Sequence, residues 1–340
     1  FFEFTTNVPP PVMSDPGPQR AMVGVPFKLP LDVQSDSRVS VQVAGLPAGL
    51  AYRAVSNVIA GVAPRVASGA TVTVTARNLS KTPTVRSFSL AVDALPVWAQ
   101  GQFNGWCKSA FGCGSVSAYV TPRGAVTGVL SASGTNYAFS AASFARLDED
   151  GTFWISTTAQ KGRATIPLLL AVHAPTGAAP ATLSGVDGWL SDAAVGDPDV
   201  QMWRNVWKDE GLSATATNFT GYYTATLPGG AEYGSGYLAI TVDRAGGVKT
   251  AGKLADGTVL SLSSPLILDE DGRLFTVLYS APASYRGGCM FGRAEFLRPA
   301  ESFPAVLRPL DGAPFVWESH NPQATSSYGS GFSRNTGLTG

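Results

Sequence analysis

The feature that most limits how this chain can fold is an internal duplication in its second half. Leu147-Asp148-Glu149-Asp150-Gly151 recurs 121 positions later at residues 268–272, and the segments before the two copies are also similar. The dipeptide Val-Trp occurs at residues 97–98, 206–207 and 316–317, with spacings of 109 and 110. We interpret this as a repeat of about 110 residues. That period is too long for a propeller blade or a leucine-rich repeat, but it suits half-barrels or packed antiparallel sheets.

The segment before the duplication has the pattern of a small β-domain. Val25, Phe27, Leu29 and Leu31 alternate with other residues, and the same period recurs at 39–43, 72–74 and 88–92. A period of two indicates half-buried strands. Turn signals such as residues 45–49 separate the strands, and this spacing is typical of a β-sandwich.

Within that segment, several motifs carry a family resemblance. They are Gly-Val-Pro-Phe at 24–27, Gly-Leu-Pro-Ala-Gly-Leu at 45–50, Ile-Ala-Gly at 59–61 and Thr-Val-Thr-Val-Thr-Ala at 71–76. This set resembles the Ig-like (cadherin-like) domains found in tandem in bacterial surface proteins. The resemblance implies a cadherin-like sandwich that serves as a spacer or adhesive module. The duplicated half resembles, more loosely, modules that accompany such domains in large secreted bacterial repeat proteins.

Together these patterns predict an all-β chain, with an Ig-like sandwich followed by an internally duplicated antiparallel β-barrel or double-sheet region. Residues 1–20 are expected to form an N-terminal strand and a Pro-rich linker, and residues 21–95 the sandwich. Residues 96–207 and 208–316 would be the two repeat units. The segment 317–340 either starts a further unit or supplies a closing or exchanged strand.

Charge and hydropathy exclude several classes of partner. Lys plus Arg and Asp plus Glu both number 24, so no net charge attracts nucleic acid or an anionic membrane. No apolar run approaches the ~18 residues of a transmembrane helix, so we expect no membrane insertion. The chain begins Phe1-Phe2-Glu3, without an initiator Met or a signal peptide, and we interpret it as part of a longer protein.

The duplicated acidic motif is the one candidate for a metal site. Asp148 and Asp150, like Asp269 and Asp271, precede a Gly in the way that half of a calcium loop does. A calcium loop of the EF-hand type needs Glu at position twelve, where these copies have Ala159 and Ser280. We therefore favour a hairpin turn in which the Gly adopts a positive φ, and we expect no metal or other cofactor.

Cysteine and histidine are scarce. Cys107 and Cys113 flank a short loop, which a disulfide would close in an oxidising compartment; alternatively, these residues and Cys289 are small buried thiols. The two histidines, His173 and His320, are too few for a typical zinc site. His173 follows an apolar run, and we expect it to be a half-buried strand residue.

No assembled catalytic set is recognisable, so we predict that the chain is not an enzyme. It has no Gly-x-Ser-x-Gly elbow and no phosphate-binding loop. The carboxylates that a glycan hydrolase would need all lie in turn or linker contexts: Glu149, Asp209, Glu210, Glu270 and Glu318.

The seven tryptophans suggest another function, because aromatic rings stack on the apolar faces of sugars. Trp106 and Trp203 are our candidates for glycan stacking, although Trp at unit junctions more often plugs a core. Our first hypothesis is a non-enzymatic extracellular structural or adhesive segment of a bacterial surface or fibre-forming protein. The alternatives are a carbohydrate-binding accessory module that contacts surface glycans and, less favoured, a glycan hydrolase. Any self-association is expected to run through the terminal strands, residues 1–6 or the segment from Phe315 onward.

Overall fold

The computed structural model describes residues 8–80, 82–109, 112–177, 179–185, 200–207, 213–229, 234–298, 306–321 and 332–340. Nearly all of the regular structure is β-strand, which confirms the predicted all-β class. The chain divides into two compact units. Unit 1 contains residues 1–100, 121–125 and 142–149, and unit 2 contains residues 101–120, 126–141 and 150–340. Among the described residues, no helix is long and apolar enough to cross a membrane.

Residues 12–93 of unit 1 form a sandwich. The four-stranded sheet has the order β2-β9-β8-β5, in which β2 runs parallel to β9 and the other neighbours are antiparallel. The three-stranded sheet has the order β3-β7-β6, and β1 pairs with β4. The strands are β1 (Val12–Met13), β2 (Gln19–Met22), β3 (Pro26–Pro30), β4 (Val33–Gln34), β5 (Ser40–Ala44), β6 (Leu50–Arg53), β7 (Val58–Val62), β8 (Ala67–Arg77) and β9 (Thr84–Asp93).

The core of this sandwich follows from the period of two. Val72 and Val74 of β8, with Phe88, Leu90 and Val92 of β9, are buried and pack in one cluster with residues of the other sheet, such as Ile59. The Pro-rich segment that we predicted to be a linker contributes as well. Met13 is buried in the same cluster, and Asn78 Nδ2 donates to the Pro9 carbonyl at 2.8 Å. A proline cannot donate from its backbone, but its carbonyl still accepts, so this segment packs on the domain.

Unit 2 begins with a closed β-barrel. Eight strands that follow one another in the chain, β10–β13 and β15–β18, each pair with the next, and β18 returns to pair with β10 over residues 103–107. A short 3-10 helix, Val97–Ala99, precedes them. The barrel strands are β10 (Gly101–Ser109), β11 (Gly112–Val120), β12 (Val126–Ala132), β13 (Thr135–Ala141), β15 (Phe153–Lys161), β16 (Ala164–His173), β17 (Thr182–Gly185) and β18 (Val200–Arg204). The short strand β14 (Arg146–Leu147) belongs to unit 1.

The interior of the barrel is packed with side chains. Buried positions alternate with more exposed ones along most strands of the closed set, as expected when one face of a strand points into a barrel; in β13 only Phe139 is buried. Large apolar residues fill the inside, including Phe103, Leu130, Phe139, Phe153, Ile155, Leu170, Leu183 and Met202.

The second half of unit 2 is a curved antiparallel sheet with the order β19-β20-β21-β22-β23-β24-β26-β27, and β25 pairs with β24. Its elements are α1 (Ser213–Thr217), β19 (Gly221–Pro228), β20 (Ser235–Val242), β21 (Gly247–Lys253), β22 (Val259–Leu268), β23 (Leu274–Ser280), β24 (Met290–Leu297), β25 (Val306–Pro309), β26 (Phe315–Ser319) and β27 (Phe332–Thr336). Beyond β27, Thr339 exchanges two backbone hydrogen bonds with Thr226 of β19, at 2.8 and 3.1 Å. The end of the chain therefore meets the first strand of its own sheet.

The duplication is visible in the strand order. β10 starts at Gly101 and β19 at Gly221, a spacing of 120 residues. This spacing is close to the 121 residues between the acidic motifs and differs from the 109 and 110 residues between the Val-Trp dipeptides. The third Val-Trp, at 316–317, lies inside β26. Of the two alternatives for segment 317–340, the structure has the closing strand, because β26 and β27 belong to the second sheet. The predicted N-terminal strand at residues 1–6 lies outside the described residues.

Candidate functional site

A groove of about 400 Å³ lies within unit 2, between the outer face of the barrel and the second sheet. Ser115 and Ser117 of β11 and Ser131 of β12 form one wall. Ser261 and Ser263 of β22, with Tyr279 of β23, contribute to the other wall. Strand geometry explains this concentration of hydroxyls, because residues two apart on a strand point to the same face. Ala118 and Leu260, beside these serines, are buried on the opposite faces of their strands.

The groove carries no formal charge. Among the residues that line it there is no Asp, Glu, Lys, Arg or His, and Tyr279 contributes its only titratable side chain. The apolar part of the lining comes from Val129, Ile267 and Val277, among others. The groove therefore offers hydroxyls and short apolar strips in a neutral setting.

Tyr279, which lines the groove, is held by a hydrogen bond across unit 2. The backbone N–H of Gly134 donates to Tyr279 Oη at 3.0 Å. Gly134 lies in the turn between β12 and β13 and has a φ of +74°, a conformation that favours glycine. This contact fixes the phenol of Tyr279 relative to the barrel wall.

Trp203, one of our two candidates for glycan stacking, is in the core and not on a platform. Its side chain is 6% exposed, and its Nε1–H donates to Glu270 Oε2 at 2.5 Å. Its ring meets Phe275 edge-to-face, with centroids 5.3 Å apart. The position is outward on β18, but the second sheet covers it, so its ring faces are unavailable to a sugar.

Trp106, the other candidate, is half-buried in the same apolar cluster. The guanidinium of Arg293 lies over its ring, 5.1 Å from the centroid, in a cation–π geometry. Its Nε1–H is buried and has no hydrogen-bond partner among the described residues. Trp106 pairs with Ser115 in the barrel sheet but does not itself line the groove.

The two acidic motifs form hairpin turns, as we favoured. Gly151 and Gly272 have φ values of +84° and +76°, which confirms the predicted positive φ. In the first copy, Asp148 pairs with Arg146 at 3.0 Å, and Asp150 accepts the Thr152 backbone N–H at 3.0 Å. Hydrogen bonds from the Thr152 backbone and side chain lower the pKa of Asp150 below its ordinary value.

In the second copy, the acidic side chains pair with an arginine. Arg273 Nε donates to Asp269 Oδ2 at 2.7 Å, and the same guanidinium pairs with Asp271 at 3.1 Å and with Asp311. Asp269 is buried and also accepts the backbone N–H groups of Asp271 and Arg273. Among the described residues, no group of three or more His, Cys, Asp or Glu side chains could hold a metal. Sequence reasoning missed Asp311, which is 38 residues from Arg273.

The candidate carboxylates of a hydrolase serve other contacts. Glu270 accepts from Trp203, as described above, and Glu318 accepts from Ser333 Oγ at 3.0 Å. Asp209 and Glu210 lie outside the described residues.

His173 is half-buried in β16, as the sequence predicts. Its Nδ1 lies 3.5 Å from Thr152 Oγ1 and its Nε2 lies 3.2 Å from Ser184 Oγ. Both ring nitrogens therefore have hydroxyl partners on neighbouring strands, which is typical of a structural histidine.

Cys107 and Cys289 are both buried. In the hairpin of β10 and β11, Cys107 pairs with Gly114 and Cys113 pairs with Lys108. The side chain of Cys113 lies outside the described part of the structure, so the 107–113 bridge stays a prediction. Mass spectrometry of oxidised protein with and without reduction would test it.

Comparison with known proteins gives one family match. Residues 10–93 match the family model described as "Putative Ig domain". No curated protein matches the chain. Extracellular domains 3–5 of Drosophila OTK are 10% identical, with 69% of this chain and 93% of that chain covered and a TM-score of 0.20. A DUF4784 family protein from Bacteroides caccae is 11% identical, with 92% of each chain covered and a TM-score of 0.18.

TM-scores this low do not indicate a common fold over the whole chain. The family match is independent of them, and it starts at residue 10 rather than at the predicted residue 21. That start agrees with the burial of Met13 in the core of the sandwich. The match and the two sheets with their shared core identify residues 10–93 as an Ig-like domain.

Proposed function

We propose that this chain is a non-enzymatic extracellular segment of a bacterial surface or fibre-forming repeat protein, with a structural or adhesive role. The observation that carries the proposal is the succession of three β-modules with apolar cores: the Ig-like sandwich, the closed barrel and the curved sheet. Modules of this kind, placed one after another, are typical of proteins that hold a binding surface away from an anchor.

The packed barrel interior supports a structural role over ligand transport. Barrels of eight strands that carry small ligands keep a cavity inside. Here Phe103, Phe153 and Ile155 are fully buried and lie with other large side chains inside the barrel. Burial of this apolar area stabilises the module at about 25 cal/mol per Å².

The composition supports an extracellular location. Charged residues make up only 14% of the chain, and Ser, Thr, Asn and Gly provide much of its polar surface. A surface of hydroxyls and amides is common in extracellular β-proteins, and the Ig-like family match agrees with it.

Self-association through terminal strands is part of the proposal. The C-terminal segment closes its own sheet through Thr339 and Thr226. The same backbone bonds would form if two chains exchanged this segment, because an exchanged element keeps its contacts. Exchange would then produce a dimer without a new interface.

The location is tested by antibody labelling of the source bacterium, with intact and permeabilised cells compared. We expect labelling of intact cells at a level close to that of permeabilised ones. Labelling only after permeabilisation would contradict the proposal.

The non-enzymatic role is tested by incubating the chain with a panel of polysaccharides and peptides, where release of products by the pure protein would reject it.

A further inference from the structure

We propose that the serine-lined groove of unit 2 is a binding site for a neutral oligosaccharide. This inference goes beyond the structural role proposed above and does not depend on it. The site differs from our candidate for sugar stacking at Trp203, whose ring is covered. It is built from the walls contributed by β11, β12, β22 and β23.

The hydroxyls of the groove are available for a ligand. Within the described residues, the hydroxyls of Ser115, Ser117, Ser261 and Ser263 make no hydrogen bond to another protein group. Ser131 and Ser264, in contrast, are engaged with Asn136 and Thr276. A serine hydroxyl can both donate and accept a hydrogen bond, so each one can pair with a sugar hydroxyl that donates or with one that accepts. Two pairs of such groups face the groove from opposite walls.

The apolar strips suit the other face of a sugar. A pyranose ring has hydroxyls at its edge and C–H groups on its faces, so it needs both kinds of contact. Val129 is 37% exposed on the barrel wall, and the half-buried ring of Tyr279 lies on the other wall. Ile267 and Val277 also line the groove but are only 4% and 6% exposed, so Val129 and Tyr279 supply the apolar contact. Ligand sites generally combine an apolar lining with a few placed polar groups, as this groove does.

The charge of the groove selects a neutral ligand. With no Asp, Glu, Lys, Arg or His in the lining, neither an anion nor a cation would find a partner to replace its hydration. Lys249 pairs with Ser263 on the neighbouring strand and is exposed outside the lining. An anionic sugar could bind instead by pairing with Lys249, and the experiment distinguishes a neutral ligand from an anionic one.

One hydrogen bond preorganises the groove. The hydrogen bond from the Gly134 N–H to Tyr279 Oη joins the barrel to the second sheet. Ordering the two walls on ligand binding would therefore cost little conformational entropy.

The test is an array of neutral glucans, mannans, galactans and chitooligosaccharides, printed beside sulfated and uronic-acid glycans and probed with the full chain. We expect binding to at least one neutral glycan. Affinity for that glycan is then measured by calorimetry for the chain and for Ser117→Ala with Ser263→Ala. We expect at least about a tenfold loss, as two lost hydrogen bonds imply.

The matched control is Ser156→Ala with Ser235→Ala, because these exposed serines lie on β15 and β20 and do not line the groove. The control should bind like the unaltered chain, and all variants should keep the same melting temperature. The proposal is overturned if no neutral glycan binds, or if the groove variants bind as well as the control. Binding confined to anionic glycans and lost on Lys249→Ala would also overturn it.

Discussion

The indole Nε1–H of Trp317 donates a hydrogen bond to the hydroxyl of Tyr285 at 3.0 Å, and both side chains are buried. Tyr285 in turn donates to Asp256 Oδ2 at 2.7 Å. Phe332 of β27 packs edge-to-face on the Trp317 ring, with centroids 4.8 Å apart. This chain of contacts ties the two C-terminal strands to the turn between β21 and β22, so it holds the closing segment in its own sheet.

Replacing Tyr285 with Phe should destabilise the second half of unit 2. The change leaves the buried Trp317 donor without its acceptor and removes one donor from Asp256. We expect a loss of about 1–3 kcal/mol, measured as a lower urea midpoint. Tyr222→Phe is the control, because Tyr222 is 68% exposed and should be neutral. Equal midpoints for the two variants would show that the hydrogen bonds do not stabilise the sheet.

The same tyrosine should make stability fall in alkaline solution. Burial raises the pKa of Tyr285 above its ordinary value of 10.0. The folded chain therefore keeps the phenol protonated above pH 10, where the unfolded chain loses that proton. Stability from this group is complete below pH 10 and decreases as pH rises beyond it. Urea unfolding between pH 8 and 11 should show a steeper decline for the unaltered chain than for Tyr285→Phe, and parallel curves would contradict this.

Gly292→Ala should disrupt the packing of β24 against β26. A Cβ at Gly292 would lie 2.0 Å from Phe315 Cδ1, and Phe315 is fully buried. Since that ring has no free space, we expect a loss of about 1–3 kcal/mol in thermal or urea unfolding. Gly221→Ala is a matched control, where the nearest atom is 4.0 Å away. A stability for Gly292→Ala equal to that of the control would mean that the ring can move aside.

Deleting residues 315–340 should prevent the second half of unit 2 from folding. The deletion removes β26 and β27 and, with them, the buried Phe315, Trp317 and Leu338 of its core. We expect aggregation or lost protection in hydrogen exchange across β19–β24, while the Ig-like domain stays protected. A truncated monomer with protected β19–β24 would contradict this result.

Deleting residues 1–7 tests the other predicted exchange segment. If terminal strands drive self-association, this truncation should stay folded and lower the fraction of oligomer in light scattering. If the chain without residues 1–7 is folded and still assembles, the exchanged segment must be the C-terminal one, because its strands are still in place. Monomeric behaviour of the unaltered chain at all concentrations would reject exchange altogether.

Much of the architecture was predictable from local patterns. The period of two at residues 72–74 and 88–92 predicted β8 and β9, and the duplicated acidic motif predicted two hairpin turns with Gly151 and Gly272 at positive φ. The Val-Trp spacing was a poorer guide, because Trp207 and Trp317 lie in one core cluster but occupy different places in the fold: Trp207 follows β18, and Trp317 lies inside β26. A dipeptide match does not distinguish these places.

The sequence by itself determined the strand periodicity, the turns, the duplication and the neutral, hydroxyl-rich surface, because these depend on residues close together in the chain. Only the tertiary structure decided which outward-facing residues stay exposed. Trp203 and Ser117 both point outward from the barrel, yet the second sheet covers Trp203 and leaves Ser117 beside a groove. The tertiary structure likewise decided that Asp311 pairs with Arg273 and that Thr339 pairs with Thr226. These contacts join residues far apart in sequence, and their position depends on how the two halves of unit 2 pack.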